Sequence, residues 1–538
     1  MRPLSLTSLL LALLLALMPR PAVAQGAGSG GDATIRVGTP AAKDTAGPCD
    51  WLIAGGAVVD GTGAPARRAD VLVRNGRIAF VGSTDPDTLT CRQRFDATGL
   101  VVTPGFIDAH AHGDPVGDPS FANFLAMGVT TIVLGQDGDG PAVAEMVEHL
   151  DAVDAARPGV NVAYLVGHNT IRVESGVGYG DPGPEGLERM RELVARGLAA
   201  GAFGLSTGLE YDPGSRAGAD ELAAIAGPVA AAGGVVTSHM RSEDADRVEE
   251  SLEELIEQGR RSGARVHAAH LKIVLGHDPG QAAALLRAME EARAAGVGVT
   301  ADLYPYTASY TGLSILFPEW ARPPNDYATV AGERRDELAG YLRRRVEGRN
   351  GPDATLFGSG AWAGRTLAEV AAERGIAFED LLLELGPEGT SAAYFVMDEA
   401  VVRALLRDPH VVVSSDGSPT MLHPRAYGSF ARVIRRYVVE EGTLTLEEAV
   451  RKMSGATAAI YRLDDAAIVD RARGLVREGW AADLVAFDPA AVRDLADFEH
   501  PHRRAEGMRA VWVNGEPAWR DGEPAPGPGR GAMLRARW

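Results

Sequence analysis

Residues 101–112 read VVTPGFIDAHAH: an apolar run, a Pro104-Gly105 break, and then Asp108, His110 and His112 at alternate positions. Side chains alternate along a strand, so His110 and His112 point the same way and can grip one metal ion. A His-x-His pair is weak evidence alone, and its place at the end of an apolar strand strengthens it. Seven comparable runs follow: VTTIVLGQD (129–137), NVAYLVGHN (161–169), AFGLSTGLEY (202–211), GVVTSHMRSE (234–243), RVHAAHLK (265–272), GVTADLYPY (298–306) and HVVVSSDG (410–417). Between most of them lie amphipathic stretches, such as 244–261 with Val248, Leu252, Leu255 and Ile256 on one stripe, and 281–295 with Leu285, Leu286, Met289 and Ala292. Eight strands alternating with helices predict an α/β fold, a TIM-like (β/α)₈ barrel whose active site lies at the C-terminal strand ends.

Outside the barrel, short strands occur at both chain ends. Asn75-Gly76 and Asn514-Gly515 each sit between apolar runs and signal two-residue hairpins. The expected division is a β-sandwich domain from 49–100 and 470–538, and a barrel over 101–469. The stretch 311–410 is too long for an ordinary connection and is expected to cover the barrel mouth as a lid. Residues 1–24, MRPLSLTSLLLALLLALMPRPAVA, combine a basic start, a short apolar run and Ala22-Val23-Ala24, the pattern of a cleavable export signal. Export to the periplasm or beyond is therefore expected, with 25–48 as a flexible linker. Cys49 and Cys91, the only cysteines, either close a disulfide or remain two free thiols. A bridge over that loop is worth about 4 kcal/mol in chain-entropy terms.

The chain has 538 residues and a formal charge of −19, which becomes −21 without Arg2 and Arg20. Such acidity argues against a nucleic-acid partner. A mean hydropathy of −0.05 argues against several membrane spans, and no stable membrane insertion is expected. The chemistry therefore points to a small-molecule substrate. By strand alternation His239 shares a face with Arg241, and His270 shares one with Lys272, while His267 points the other way as a packing residue. Asp416 ends the eighth strand. Four histidines and an aspartate converging on one barrel mouth predict a metal centre.

These motifs, with IAGGAVVDGTG, GVTTIVLG, GLSTGLEYDPG, SHMRSE, ADLYPYTA, SSDGSP and HPRAYGSFARVIRRYV, resemble the amidohydrolase superfamily over about residues 50–489. Within it the chain is similar to the D-aminoacylase, or N-acyl-D-amino-acid deacylase, family. The resemblance implies zinc, or one or two divalent ions of another kind, with His110 and His112 on one position and His239 and His270 on the other. It implies Asp416 as catalytic base and metal-side ligand, and Lys272 with Tyr304 as a clamp for the substrate carboxylate. Where the family carries a cysteine after the second strand this chain has Asp137, a harder donor able to ligate or bridge. Glu210 is a weaker bridging candidate. Arg241 is a second clamp candidate, and His168, His423 and Arg425 fall on the same side, with packing or loop-positioning as their other reading. The implied reaction is hydrolysis of an N-acyl-D-amino acid, or of a short peptide, to a carboxylate and a free amine by activated water.

Three other readings are open from sequence. One is a dipeptidase on D-residue or isoaspartyl peptides, or a cyclic-amide hydrolase, with the same barrel. Another is a non-catalytic secreted binding protein, expected to have lost the ligands that this chain keeps. The third takes Gly204-Leu205-Ser206-Thr207-Gly208 as a serine-hydrolase elbow, against which the loop LEYDPG stands where a helix is required.

Overall fold

Each of the eight apolar runs forms a short parallel strand, and together they close a barrel. In the computed structural model, which describes residues 48–85 and 89–538, Phe106–Asp108, Val129–Leu134 and Asn161–Tyr164 pair in that order. Val166–Gly167 continues the third strand past Leu165 and pairs with Gly204–Gly208. Val235–His239, Arg265–Ala268, Val299–Leu303 and Val411–Val413 follow in sequence. The ring closes between the first and eighth strands, where Asp416 N–H donates to His110 O and His112 N–H to Gly417 O, each at 2.8 Å. The leader over 1–24 and, apart from Pro48, the linker over 25–48 lie outside the described residues. Among the described residues no helix is long and apolar enough to cross a membrane.

The helices bury the stripes expected of them. Val248–Ser262 sinks Val248, Leu252, Leu255 and Ile256 into the barrel core. It starts four residues later than its sequence pattern, because Asp244 is still extended and bridged to Val274. Pro279–Ala294 begins where the Asp278 carboxylate accepts from Gly280 N–H and Pro279 presets the first turn.

Residues from both ends build one nine-stranded sheet. Val101–Pro104 is its joint, pairing with Cys49–Val58 on one side and Leu484–Phe487 on the other. The sheet folds over itself as a sandwich does: Trp51 and Trp512 lie three strand spacings apart along it, yet their rings pack edge-on at 5.7 Å. Cys49 and Cys91 sit opposite each other on adjacent parallel strands and are joined by a disulfide. Both expected hairpins form, with positive φ at Asn75, Gly76, Asn514 and Gly515, as a two-residue turn of this kind requires. Their tips abut, and a Cβ on Gly515 would lie 2.7 Å from Gly76 Cα.

The insertion runs from Ser309 to about residue 396, shorter than the stretch 311–410. Its strands Ser309–Gly312, Ser391–Tyr394 and Thr355–Phe357 form an antiparallel sheet. With Arg335–Glu347, Leu367–Arg374 and Phe378–Leu385 they enclose a separate apolar core. Glu399–Leu406 instead packs on Pro279–Ala294 and joins the barrel core. One feature was invisible in the sequence: the final residues fill the edge that the third strand exposes before the fourth begins, with Leu534 N–H donating to Val162 O at 2.8 Å and Ala536 N–H to Gly201 O at 2.9 Å.

Gly515→Ala is expected to cost about 2 kcal/mol or more, from positive φ and the blocked approach to Gly76. A urea midpoint lowered at unchanged slope checks it, and an unaltered midpoint contradicts the packing of the two tips.

Candidate metal centre and active site

The first strand delivers two donors. Beyond Asp108 the chain stays paired with 416–417, so alternation continues and the Nε2 atoms of His110 and His112 meet at 3.3 Å. Asp108 holds the turn, its Oδ1 accepting from His110 N–H at 3.1 Å and Ser415 N–H at 2.9 Å. Asp137 enters from the second strand on a left-handed residue between Gly135 and Gly138. Its loop is fixed by Gln136, whose amide donates to Ala109 O at 2.9 Å, and by Gly138 N–H donating to Ser206 Oγ at 3.1 Å. Ser206 is thus fully buried and engaged, which removes the serine-nucleophile reading.

His239 ends the fifth strand. His270 lies two residues past the sixth, where its N–H donates to Asp302 Oδ1 at 3.0 Å. Asp302 is in turn fixed by His267 Nε2 at 2.8 Å, the packing role expected of His267. Three of the six candidate ligands, Asp137, His270 and Asp416, have positive φ without being glycine. Backbone strain of this kind persists only where the surroundings impose it, and it concentrates at functional sites.

The donor atoms form two sets sharing Asp137. His110, His112, Asp137 and Asp416 make one, and Asp137, His239 and His270 the other, with ligand atoms within 4.8 Å of one another in each. Asp137 Oδ1 lies 3.4 Å from His110, 3.6 Å from His239 and 3.3 Å from His270, and its Oδ2 is 3.4 Å from His112. His112 is 3.2 Å from Asp416 Oδ1, and His239 Nδ1 is 3.0 Å from His270 Nε2. Tetrahedral coordination at about 2.0–2.1 Å sets ligands about 3.3 Å apart, so both sets fit a divalent ion such as zinc. The charges agree. Burial disfavours a charged ring, yet Asp137 and Asp416 push His112 up to about 10, and Glu243, Asp137 and Glu210 do the same to His239. The carboxylates ask for positive charge where the rings meet.

Outer partners orient these rings. Glu210 stands 3.1 Å from His239 Nε2, the nitrogen turned away from Asp137, so it supports a ligand instead of bridging. Glu243, which sequence reasoning missed, lies 3.1 Å from His270 Nδ1 and 2.5 Å from Lys272 Nζ. Burial opposes the Lys272 ammonium, but Glu243 outweighs it and raises its pKa. Arg425 Nη1 is 2.9 Å from Asp416 Oδ2, and its guanidinium lies over the Tyr304 ring at 4.6 Å. Burial would lift the Asp416 carboxyl, yet Arg425 and the neighbouring histidines hold it far below its ordinary range. Burial also pushes Tyr304 up to about 12.

A cavity of about 290 Å³ opens onto this cluster, lined by Lys272, Tyr304 and Arg425, and by Tyr211, Arg349 and Ile315 on its outer wall. Three sequence-selected residues do not reach it. Arg241 is bound to Glu254 at 2.9 Å and to Ser215 O and Ala217 O, because the fifth strand ends at His239 and alternation stops there. His423 is buried, 3.1 Å from Ala308 O and accepting from Arg425 N–H at 3.0 Å, so it shapes the loop carrying Arg425 and touches no substrate space. His168 is likewise committed, at 2.8 Å to Glu221, which also binds Arg172.

Comparison with known proteins agrees with this geometry. The family model described as "Amidohydrolase family" matches residues 93–372 and 325–518. The chain is 37% identical to N-acyl-D-glutamate deacylase of Alcaligenes xylosoxydans xylosoxydans, over 89% of this chain and 96% of that protein. It is 36% identical to D-aminoacylase of the same organism, over 88% and 95%. A crystal structure of N-acyl-D-glutamate deacylase from Bordetella bronchiseptica, complexed with zinc and a phosphonate mimic of the tetrahedral intermediate, superimposes with a TM-score of 0.78 at 33% identity, covering 91% of this chain and all of that one. With its barrel, its paired histidines and these relatives over nearly its full length, the chain belongs to the amidohydrolase family.

Proposed function

We propose that this protein is a metal-dependent deacylase, hydrolysing the amide bond of N-acyl-D-amino acids to a carboxylate and a free D-amino acid. The observation that carries this is the sharing of Asp137 between two histidine pairs, with Asp416 and the Lys272–Glu243 pair opening onto the same cavity. A divalent ion, zinc in the Bordetella relative, supplies Lewis acidity for water and for the scissile carbonyl. Asp416 Oδ1 lies among the histidine donors, 3.2 Å from His112, while Arg425 pairs with Oδ2, so Oδ1 is the oxygen placed to take the proton of the attacking water and return it to the leaving amine. Lys272 offers a buried ammonium beside the centre, and the neutral Tyr304 phenol stands close to it, a cation and a hydroxyl donor fitted to a substrate carboxylate. In an acidic protein such a local clamp is required for an anionic substrate to bind.

Dipeptidase and cyclic-amide readings are not favoured, because the relatives spanning nine-tenths of the chain are deacylases. Export belongs to the same proposal: the signal-like pattern of residues 1–24 and the Cys49–Cys91 bridge both support an oxidising compartment.

Amine release from matched N-acetyl-D- and N-acetyl-L-amino acids, on protein of measured metal content, is expected to favour the D series. An L preference overturns the substrate assignment and leaves the metal chemistry standing. Asp416→Asn is expected to lower kcat about 10²- to 10⁴-fold while thermal stability stays close to wild type. Wild-type turnover in that variant removes Asp416 from proton transfer. Asp137→Ala, read by elemental analysis after dialysis, is expected to lose at least one equivalent of metal. Full retention shows that Asp137 is not a shared ligand.

A further inference from the structure

The far end of the cavity has no task in the hydrolysis itself. Past the fifth and sixth strands the chain segments run side by side: Val274 N–H donates to Glu243 O at 2.8 Å, and Ala245 N–H to Val274 O at 2.9 Å. Asp244 is thus one step further out than Glu243, and Val274 is at most about 7 Å beyond Lys272 by strand rise. From the insertion, two arginines reach the same carboxylate. Arg345 Nη1 lies 2.7 Å from Asp244 Oδ2, and Arg349 Nη1 2.8 Å from Oδ1. Two guanidinium groups on one carboxylate leave a positive charge in excess. Arg349 lines the cavity, is only 4% exposed, and has an Nε without a hydrogen-bond partner. A buried guanidinium with an unfilled donor is costly, and its planar fork matches a carboxylate. The other acids of the wall do not fill it. Glu243 is held by Lys272, Asp416 by Arg425 and Glu210 by His239, while burial, reinforced by Asp137, pushes the Asp139 carboxyl up.

We propose that Arg349, braced by Asp244, is a second anion subsite, and that the preferred substrates are N-acyl-D-amino acids with a carboxylate in the side chain. This rests on the deacylase reading and adds to it the side-chain class. Lys272 takes the α-carboxylate, and Arg349 takes the side-chain carboxylate a few bonds away.

The test compares N-acetyl-D-glutamate with its neutral isostere N-acetyl-D-glutamine, and N-acetyl-D-aspartate with N-acetyl-D-asparagine, on the full-length metal-loaded enzyme. The acid is expected to exceed the amide in kcat/KM by roughly 10- to 100-fold in the better pair, chiefly through KM. In Arg349→Met that ratio falls towards 1, and Arg349→Lys restores part of it. Equal use of acid and amide by the wild-type enzyme overturns the subsite, a result that needs no variant to fold. An unchanged ratio in folded Arg349→Met also overturns it. Turnover of N-acetyl-D-methionine alongside acid–amide equality sinks the subsite alone, whereas release of no D-amino acid from any of these compounds sinks the deacylase reading and the subsite with it.

Discussion

Asp137 stands between four imidazoles, and its carboxylate is the element that makes one centre from two histidine pairs. His110 and His112 come from the first strand, while His239 and His270 come from the fifth and sixth, on another arc of the barrel. Their rings would otherwise share only a buried space in which any charge is costly. The carboxylate at 3.3–3.6 Å from all four supplies the common negative charge. It can do so only because its residue adopts a left-handed backbone between two glycines, which carries the side chain into the mouth instead of along the sheet. A cysteine there gives a soft ligand with one donor atom. An aspartate gives two oxygens and a harder site, which widens the range of divalent ions the centre can hold.

The same economy runs outward from the centre. Glu243 faces His270 and Lys272 together, so one carboxylate both orients the His270 ring and balances the buried Lys272 ammonium. Arg425 does the reverse for Asp416, satisfying one oxygen and leaving the other towards the histidines. Tyr304 lies under the Arg425 guanidinium and within 5.7 Å of Lys272. Recognition and chemistry are therefore not separable here. Removing a clamp charge also strips a partner from a ligand or from the base, and so acts on both kcat and KM.

Much of this was legible in the sequence because strand alternation and barrel closure constrain it. All eight strands lie within the runs expected of them, and both Asn-Gly hairpins form. The His-x-His pair worked as a signal because the first strand stays hydrogen-bonded to 416–417 past its formal end. Arg241 failed for the opposite reason: the fifth strand stops at His239, and two residues beyond a strand end parity no longer says where a side chain goes. His423 and Arg425 sit in a loop, where no periodicity applies. Glu243 was within reach, since it lies in the quoted run SHMRSE, but its role appears only when the sixth strand brings Lys272 beside it. The pairing of the C-terminal residues with Val162 and Gly201 is a long-range contact with no local pattern at all.

The insertion explains why the outer wall of the cavity was the least legible part. Its helices and three strands bury their own apolar core, and among the buried residues of that core only Val274 comes from outside the insertion. The barrel core and the histidine cluster do not depend on the identity of most residues in it. Substitutions there can change what the outer wall recognises without disturbing the metal ligands, provided the small core stays packed. Arg349 reaches the cavity from this segment but is anchored on Asp244, a barrel residue next to Glu243. Beside that cluster, Arg216 pairs with Glu319 and Arg322 with Asp212, and Val274 packs into the small core. The chemistry is fixed by strand ends, and the outer wall by a separately packed unit clipped to them.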